Sequence, residues 1–171
     1  MLTIRRTTEE DWAALKAVRL AALGDAPDAF GLTLATAAAY TEAEWRERAA
    51  CRRAEYVLAF DGAQAVGMAG GHAGAGGEYE LIGMWVQPSH RGTPAAARLV
   101  DAIKRYASVA GHQRVILAVA PINTRAAAFY QRHGFRWLPE RYPLDSNPDI
   151  ELQKMEWRNA PAQVTPRGSN G

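Results

Sequence analysis

Leu2 and Ile4 alternate with polar neighbours over residues 2–6, a period of two that predicts a short opening strand. From Thr8 to about Leu23 the period lengthens: Trp12, Leu15, Val18 and Ala22 fall on one helical face, Thr7 and Glu10 form a capping pair ahead of it, and Gly24 and Pro27 end it. Residues 25–40 carry neither period and read as a loop. A second capping pair, Thr41 with Glu44, opens a shorter helix that holds Trp45 and ends near Cys51. Two apolar runs, residues 56–60 and 64–72, flank Asp61-Gly62 and predict a hairpin, and residues 78–86 continue it as a third strand. Over residues 94–111, Leu99, Val100, Ile103 and Ala107 share one helical face, and residues 115–119 are apolar throughout, as in a strand covered on both faces. Residues 124–133 read as a helix closed by Gly134, followed by strands at 135–141 and 150–157 with a turn around Tyr142 to Pro148. From Asn159 the Pro/Gly/Ser-rich tail predicts disorder.

The resulting order, β, α, α, β, β, β, α, β, α, β, β, is neither a dinucleotide-binding unit nor a repeat array. It predicts an α/β (α+β) fold with a mixed sheet and helices on both faces, in a single domain over residues 1–158.

Composition narrows the chemistry. A chain of 171 residues supports one domain, and none of its apolar stretches approaches the roughly 18 residues of a membrane helix. The start, MLTIRRTTEEDW, lacks an apolar signal core and predicts a cytoplasmic protein. A single cysteine, Cys51, excludes an internal disulfide, and no Cys/His grouping has metal-site spacing, so no metal is expected. Twenty Lys and Arg against 18 Asp and Glu leave a net charge of +2 without the dense basic stripe that binds nucleic acid. A compact anionic ligand suits that balance better than a polymer.

Residues 78–100 run from a strand through a tight turn into a helix, with Arg91, Gly92 and small residues at the helix start. Backbone N–H groups there can face an anion at the positive end of the helix dipole. On its own, RGTPAA also reads as a plain loop with a proline at the first helical turn. Val86, Pro88, Arg91, Gly92 and Ala96 match the pattern V-x-P-x-x-R-G-x-G-x-G/A, and some 30 residues on, Asn123, Ala126, Tyr130, Gly134 and Phe135 match a second signature. With both in order, the chain resembles the GNAT superfamily of acetyl-CoA-dependent N-acetyltransferases from Leu2 to Trp157. The resemblance implies a mixed, mostly antiparallel sheet of six to seven strands, about four flanking helices, and a splayed strand pair for CoA. One departure stands out: Pro94 replaces the middle glycine of the turn and has no N–H to donate.

The resemblance further implies residue roles. The backbone of Met84, Trp85 and Val86 would hold the pantetheine arm and the acetyl group. The segment Arg91, Gly92, Thr93, Pro94, Ala95 and Ala96 would meet the pyrophosphate, with Asn123 also at the cofactor. Tyr130 would protonate or hydrogen-bond the departing thiolate, with core packing as the alternative. Glu80 aligns with a general base found in some members; an ordinary surface ion pair, Glu78 or a water chain are its rivals. Simple alternation puts Glu80 on one strand face with Ile82, Met84 and Val86. Phe30, Trp45 and Tyr142, with Trp12 and Tyr40, are the aromatics expected around a small-molecule or peptide amine. Two functions stay open: an N-acetyltransferase acting in a ternary complex, as a monomer or homodimer, and a non-catalytic acyl-CoA binding module, motivated by Pro94.

Overall fold

In the computed structural model, which describes residues 1–159, β1 (Leu2–Arg6) leads through a 3-10 turn (Glu9–Asp11) into α1 (Trp12–Asp25). A second 3-10 turn (Pro27–Ala29), α2 (Leu34–Ala38) and α3 (Glu42–Ala49) follow. β2 (Glu55–Asp61), β3 (Gln64–Ala73) and β4 (Tyr79–Val86) form a meander, and a third 3-10 turn (Pro88–His90) leads to α4 (Ala95–Val109). β5 (Arg114–Val119), α5 (Thr124–Arg132), β6 (Arg136–Leu144) and β7 (Asn147–Arg158) complete the chain. All seven strands join one sheet in the order β1-β2-β3-β4-β5-β7-β6, and only β4 and β5 run parallel, as their crossover through α4 requires. The disorder expected of the tail concerns residues 160–171, which lie outside the described residues.

Apolar side chains cover the sheet on both faces. α4 and α5 pack Leu99, Val100, Ile103 and Tyr130 against Val57, Val66, Leu81 and Val115 on one face. On the other, Leu15, Val18, Ala22 and Trp45 from α1 and α3 pack against Leu58, Met68 and Trp85. Among the described residues no helix is long and apolar enough to cross a membrane.

Three local readings are corrected. The segment expected to be a loop contains α2, capped by the Thr33 side chain, which accepts from the Thr36 N–H; its sequence LATAA buries only Ala37 and so leaves no apolar period to read. The capping box ahead of α1 is Thr8 with Asp11, not Thr7 with Glu10. Thr7 is 4 % exposed and its hydroxyl donates to the Ala49 carbonyl at 2.8 Å, so its capping chemistry serves a long-range contact instead. The turn expected around Tyr142 to Pro148 narrows to Asp145 and Ser146, because Leu144 pairs with Asn147. Pro143 is tolerated in β6 because that strand is the sheet's last and pairs on one side only.

Glu156 stitches the sheet beside the parallel pair. It is 1 % exposed and accepts from Arg114 Nη1 at 2.7 Å, Arg136 Nη2 at 3.0 Å and Arg158 Nε at 2.7 Å. Arg114 also reaches Glu78 at 3.1 Å, so the network spans the start of β4, β5, β7 and β6. Burial alone would raise the Glu156 carboxyl, but the three guanidinium hydrogen bonds outweigh it and hold it at about 2, against an ordinary 4.5. A depressed carboxyl stabilises the fold above its unfolded value, and that contribution is lost as pH falls through the folded value. Glu156→Gln is therefore expected to cost about 2 to 3 kcal/mol at pH 7. In chemical denaturation at stepped pH, the gap to wild type should shrink steadily between pH 5 and 2.

Candidate active site

β4 pairs with β5 only at Tyr79↔Val115 and Glu80↔Ile116, after which the two strands diverge. From Leu81 to Val86 the edge of β4 that faces β5 has no strand partner, while its other edge stays paired with β3. Gly83, at φ +59°, sits in a bulge that sets Gly83 and Met84 against the single residue Ala69. The bulge inverts the strand's faces: Tyr79, Leu81 and Val86 point toward α4, whereas Trp85 joins the α1 core. The expectation that Glu80, Ile82, Met84 and Val86 share one face is thus corrected. Unbroken alternation would have put Trp85, not Val86, with Leu81.

The turn after β4 presents the start of α4. Gly92, at φ +82°, needs a residue without a Cβ for its backbone to turn at low cost. The first bond inside the helix is Arg98 N–H to the Pro94 carbonyl at 3.0 Å, which leaves the N–H groups of Ala95, Ala96 and Ala97 without helical acceptors. Ala95 is fully buried and leans weakly on Thr93 Oγ1 at 3.4 Å, while Ala96 and Ala97 open onto a cleft of about 630 Å³ with Gly92 and Thr93. Pro94 and Ala95, expected in this segment's contact surface, do not line the cleft. Pro94 stands at the helix cap with φ −66° and ψ −2°, a position its ring favours.

Arg91 is not a free charge. Its Nε donates to the Val86 carbonyl at 3.1 Å and its Nη2 to Asp25 Oδ2 at 2.6 Å, and the same carboxylate oxygen accepts from Trp85 Nε1 at 3.0 Å. Those bonds, from Trp85 first and then Arg91, hold the Asp25 carboxyl below its ordinary value. The end of α1 is thereby tied to the turn after β4. Across the cleft, α5 contributes Asn123, Arg125, Ala126, Phe129 and Arg132. Asn123 also caps α5, its Oδ1 accepting from the Ala126 N–H at 3.3 Å.

Tyr130 lies on the same α5 face as Asn123 and Ala126 but one turn deeper. It is 8 % exposed, packed edge-on to Phe129 and Phe135, and does not line the cleft. Burial pushes its phenol above the ordinary tyrosine value.

A second cavity, of about 410 Å³, continues from the first and shares Phe30, Met84, Asn123 and Ala126 with it. Its walls include Glu80, Tyr142, Arg19, Asp145 and Lys154. Glu80 Oε2 lies 3.5 Å from His72 Nε2, its register partner on β3. Of the five aromatics expected around an acceptor, Phe30 and Tyr142 line this cavity, while Trp12 and Tyr40 pack against the α1 core. Trp45 does not line it: it is 2 % exposed in the core against α1 and edge-on to Tyr40. An aromatic on a short helix packed on both sides is core.

Several lining residues escape sequence reasoning. Asp25 is 66 positions from Arg91, a separation no local pattern spans. Arg125 and Arg132 sit inside the second signature, at positions its pattern leaves free. Arg19 had a legible signal: it lies four residues after Leu15 and three before Ala22, where the face of α1 calls for an apolar side chain.

The model of the acetyltransferase (GNAT) family matches residues 23–135. An uncharacterized N-acetyltransferase of Bacillus subtilis, YjcF, is 31% identical over 101 residues, covering 58% of this chain and 69% of that protein. A GNAT-family acetyltransferase from Streptococcus pneumoniae superposes with a TM-score of 0.77 at 20% identity, covering 94% of this chain and 100% of its own. YncA of Salmonella typhimurium, solved with its cofactor acetyl-CoA, gives 0.70 at 16% identity over 96% and 99% of the two chains.

Proposed function

The chain belongs to the acetyltransferase (GNAT) family and is an acyltransferase enzyme, and from that premise we propose that it moves the acetyl group of acetyl-CoA directly onto a primary amine in a ternary complex. One observation carries the reading: the open edge of β4 from Leu81 to Val86 runs straight into the orphan N–H donors that open α4. An extended edge suits a pantetheine arm, and donors at a helix start suit the pyrophosphate that follows it. The residues present fit such a ligand. Arg91, Arg125 and Arg132 surround the cleft, which holds one acid, Asp25, already neutralised by Arg91. That YncA carries acetyl-CoA supports the same cosubstrate here.

Bound acetyl-CoA supplies an activated thioester. Backbone groups of Met84, Trp85 and Val86 hold the arm and orient that thioester at the bulge. Gly92, Ala96 and Ala97 donate N–H bonds to phosphate oxygens, while Thr93 shapes the turn through its bond to the His90 carbonyl at 2.6 Å. Because Pro94 does not line the cleft, its missing N–H costs little affinity. Glu80, in the wall of the second cavity, takes the proton from the amine. Tyr130, one turn below the Ala126 that both cavities share, hydrogen-bonds or protonates the departing thiolate; burial raises its ionisation, which keeps the phenol an O–H donor and makes the hydrogen bond the easier of the two. Asn123 fixes the start of α5, and Phe30 and Tyr142 wall the acceptor side. The acceptor is a small molecule or peptide amine, in keeping with a cavity of about 410 Å³.

Calorimetric titration with acetyl-CoA, followed by thiol release over a panel of primary amines, tests the proposal. Saturable binding and amine-dependent release are expected. Binding without release from any amine would replace the enzyme reading with an acyl-CoA binding module, and failure to bind would remove both.

A further inference from the structure

Arg19 is a half-buried cation without a counter-ion among the described residues. Its Nη1 is shut off from solvent with no hydrogen-bond partner among the described residues. No ion pair among the described residues includes Arg19. Its guanidinium carbon stands 4.9 Å from the centre of the Phe30 ring, and a Cβ on Gly83 would come within 3.3 Å of Nη1. The glycine of the bulge thus makes room for the guanidinium beside the reacting end of β4. Desolvating part of a cation among the rings of Phe30, Tyr40 and Tyr56, with no carboxylate paired to it, is unfavourable unless an anion repays it.

The second cavity brings that cation to a ligand. Arg19 lines it with Lys154, which is likewise outside every ion pair among the described residues, and with the acids Glu80 and Asp145. Two cations and two acids in a cavity of about 410 Å³ match an amino-acid-sized zwitterion better than a plain alkylamine. We infer that the acceptor is an amino-acid-sized molecule carrying a carboxylate, which pairs with Arg19 while its amine faces Glu80. This rests on the reading of the second cavity as the acceptor pocket.

The test compares the proteinogenic L-amino acids with their carboxamides, both as substrates with acetyl-CoA and as ligands in the presence of CoA. At least one free amino acid should exceed its carboxamide about 100-fold in kcat/KM, the size expected for a lost charge-assisted pair. Arg19→Gln should collapse that ratio to within a few-fold and Arg19→Lys should fall between. Both should bind acetyl-CoA as wild type does, because Arg19 is not in the cofactor cleft. Equal use of carboxamides, persistence of the ratio in Arg19→Gln, or no binding of any amino acid would overturn the inference. Arg19-dependent binding without thiol release would uphold the carboxylate site and sink the transfer reading; acetylation indifferent to the carboxylate would do the reverse.

Discussion

Tyr130→Phe should lower kcat by about 10²- to 10⁴-fold, the range expected when a positioned acid is lost, with acetyl-CoA affinity nearly unchanged. The substitution removes one oxygen and keeps the ring between Phe129 and Phe135, whose centroids lie 5.3 and 5.6 Å away. Packing at this 8 %-exposed position therefore survives, and thermal stability should stay close to that of wild type. The loss should also depend on the thiol released. A donor with a more acidic thiol leaves without protonation, so the penalty for Phe should shrink with such a donor. The direction of the phenol's displacement sets the pH profile: raised by burial, it stays protonated into alkaline solution, and kcat should show no fall from its ionisation near pH 10. Unchanged kcat in Tyr130→Phe would reduce the residue to core packing.

Ala96→Glu should weaken acetyl-CoA binding by about 100-fold or more while leaving the fold intact. Ala96 is the second residue of α4, lines the cleft, and carries one of the orphan N–H groups. An acid at that place suits the helix, since negative charge near an N-terminus stabilises it by about 0.3 to 1 kcal/mol. The same carboxylate would stand where the pyrophosphate must sit, and like charges about 4 Å apart near a protein surface repel by about 4 kcal/mol. Ala96→Gln separates bulk from charge: it should lose much less affinity. Melting curves and calorimetry on the three proteins read both effects, and loss of binding equal in Gln and Glu would point to sterics alone.

How far the fold was legible depends on whether a feature was local. The inward face of α4 follows from spacing alone, and Leu99, Val100, Ile103 and Ala107 are all fully buried. The continuous apolar run of β5 indeed lies between two covered faces, with Val115 and Leu117 on one side and Ile116 buried as well. α2 was missed because a five-residue helix with one buried alanine carries no period. The bulge was missed because alternation assumes an unbroken register; the glycine at position 83, inside an otherwise apolar strand, was its sign. The cleft at the start of α4 was legible through its turn and its two signatures, yet two details of the site were not. Arg91 turned out to be bound to Asp25 and the Val86 carbonyl, a tertiary contact, and Trp45 went to the core because α1 covers it. The second cavity, proposed for the acceptor, is where sequence reasoning reached least, since its walls join five residues of β4 and four of β5 to one or two each from α1, α5, β6 and β7 and to the loops between.

The central claim is that the acetyl group passes from the thioester straight to the amine, with Tyr130 and Glu80 moving protons and no residue carrying the acyl group. Acetyl-CoA labelled with carbon-13 in its acetyl group, incubated with the enzyme and an accepted amine and followed by mass spectrometry, tests this most directly. The account predicts label on the amine in one-to-one ratio with free thiol, and unmodified protein whether or not amine is present. Label on the protein before amine is added, or thiol released without labelled amine, would contradict it.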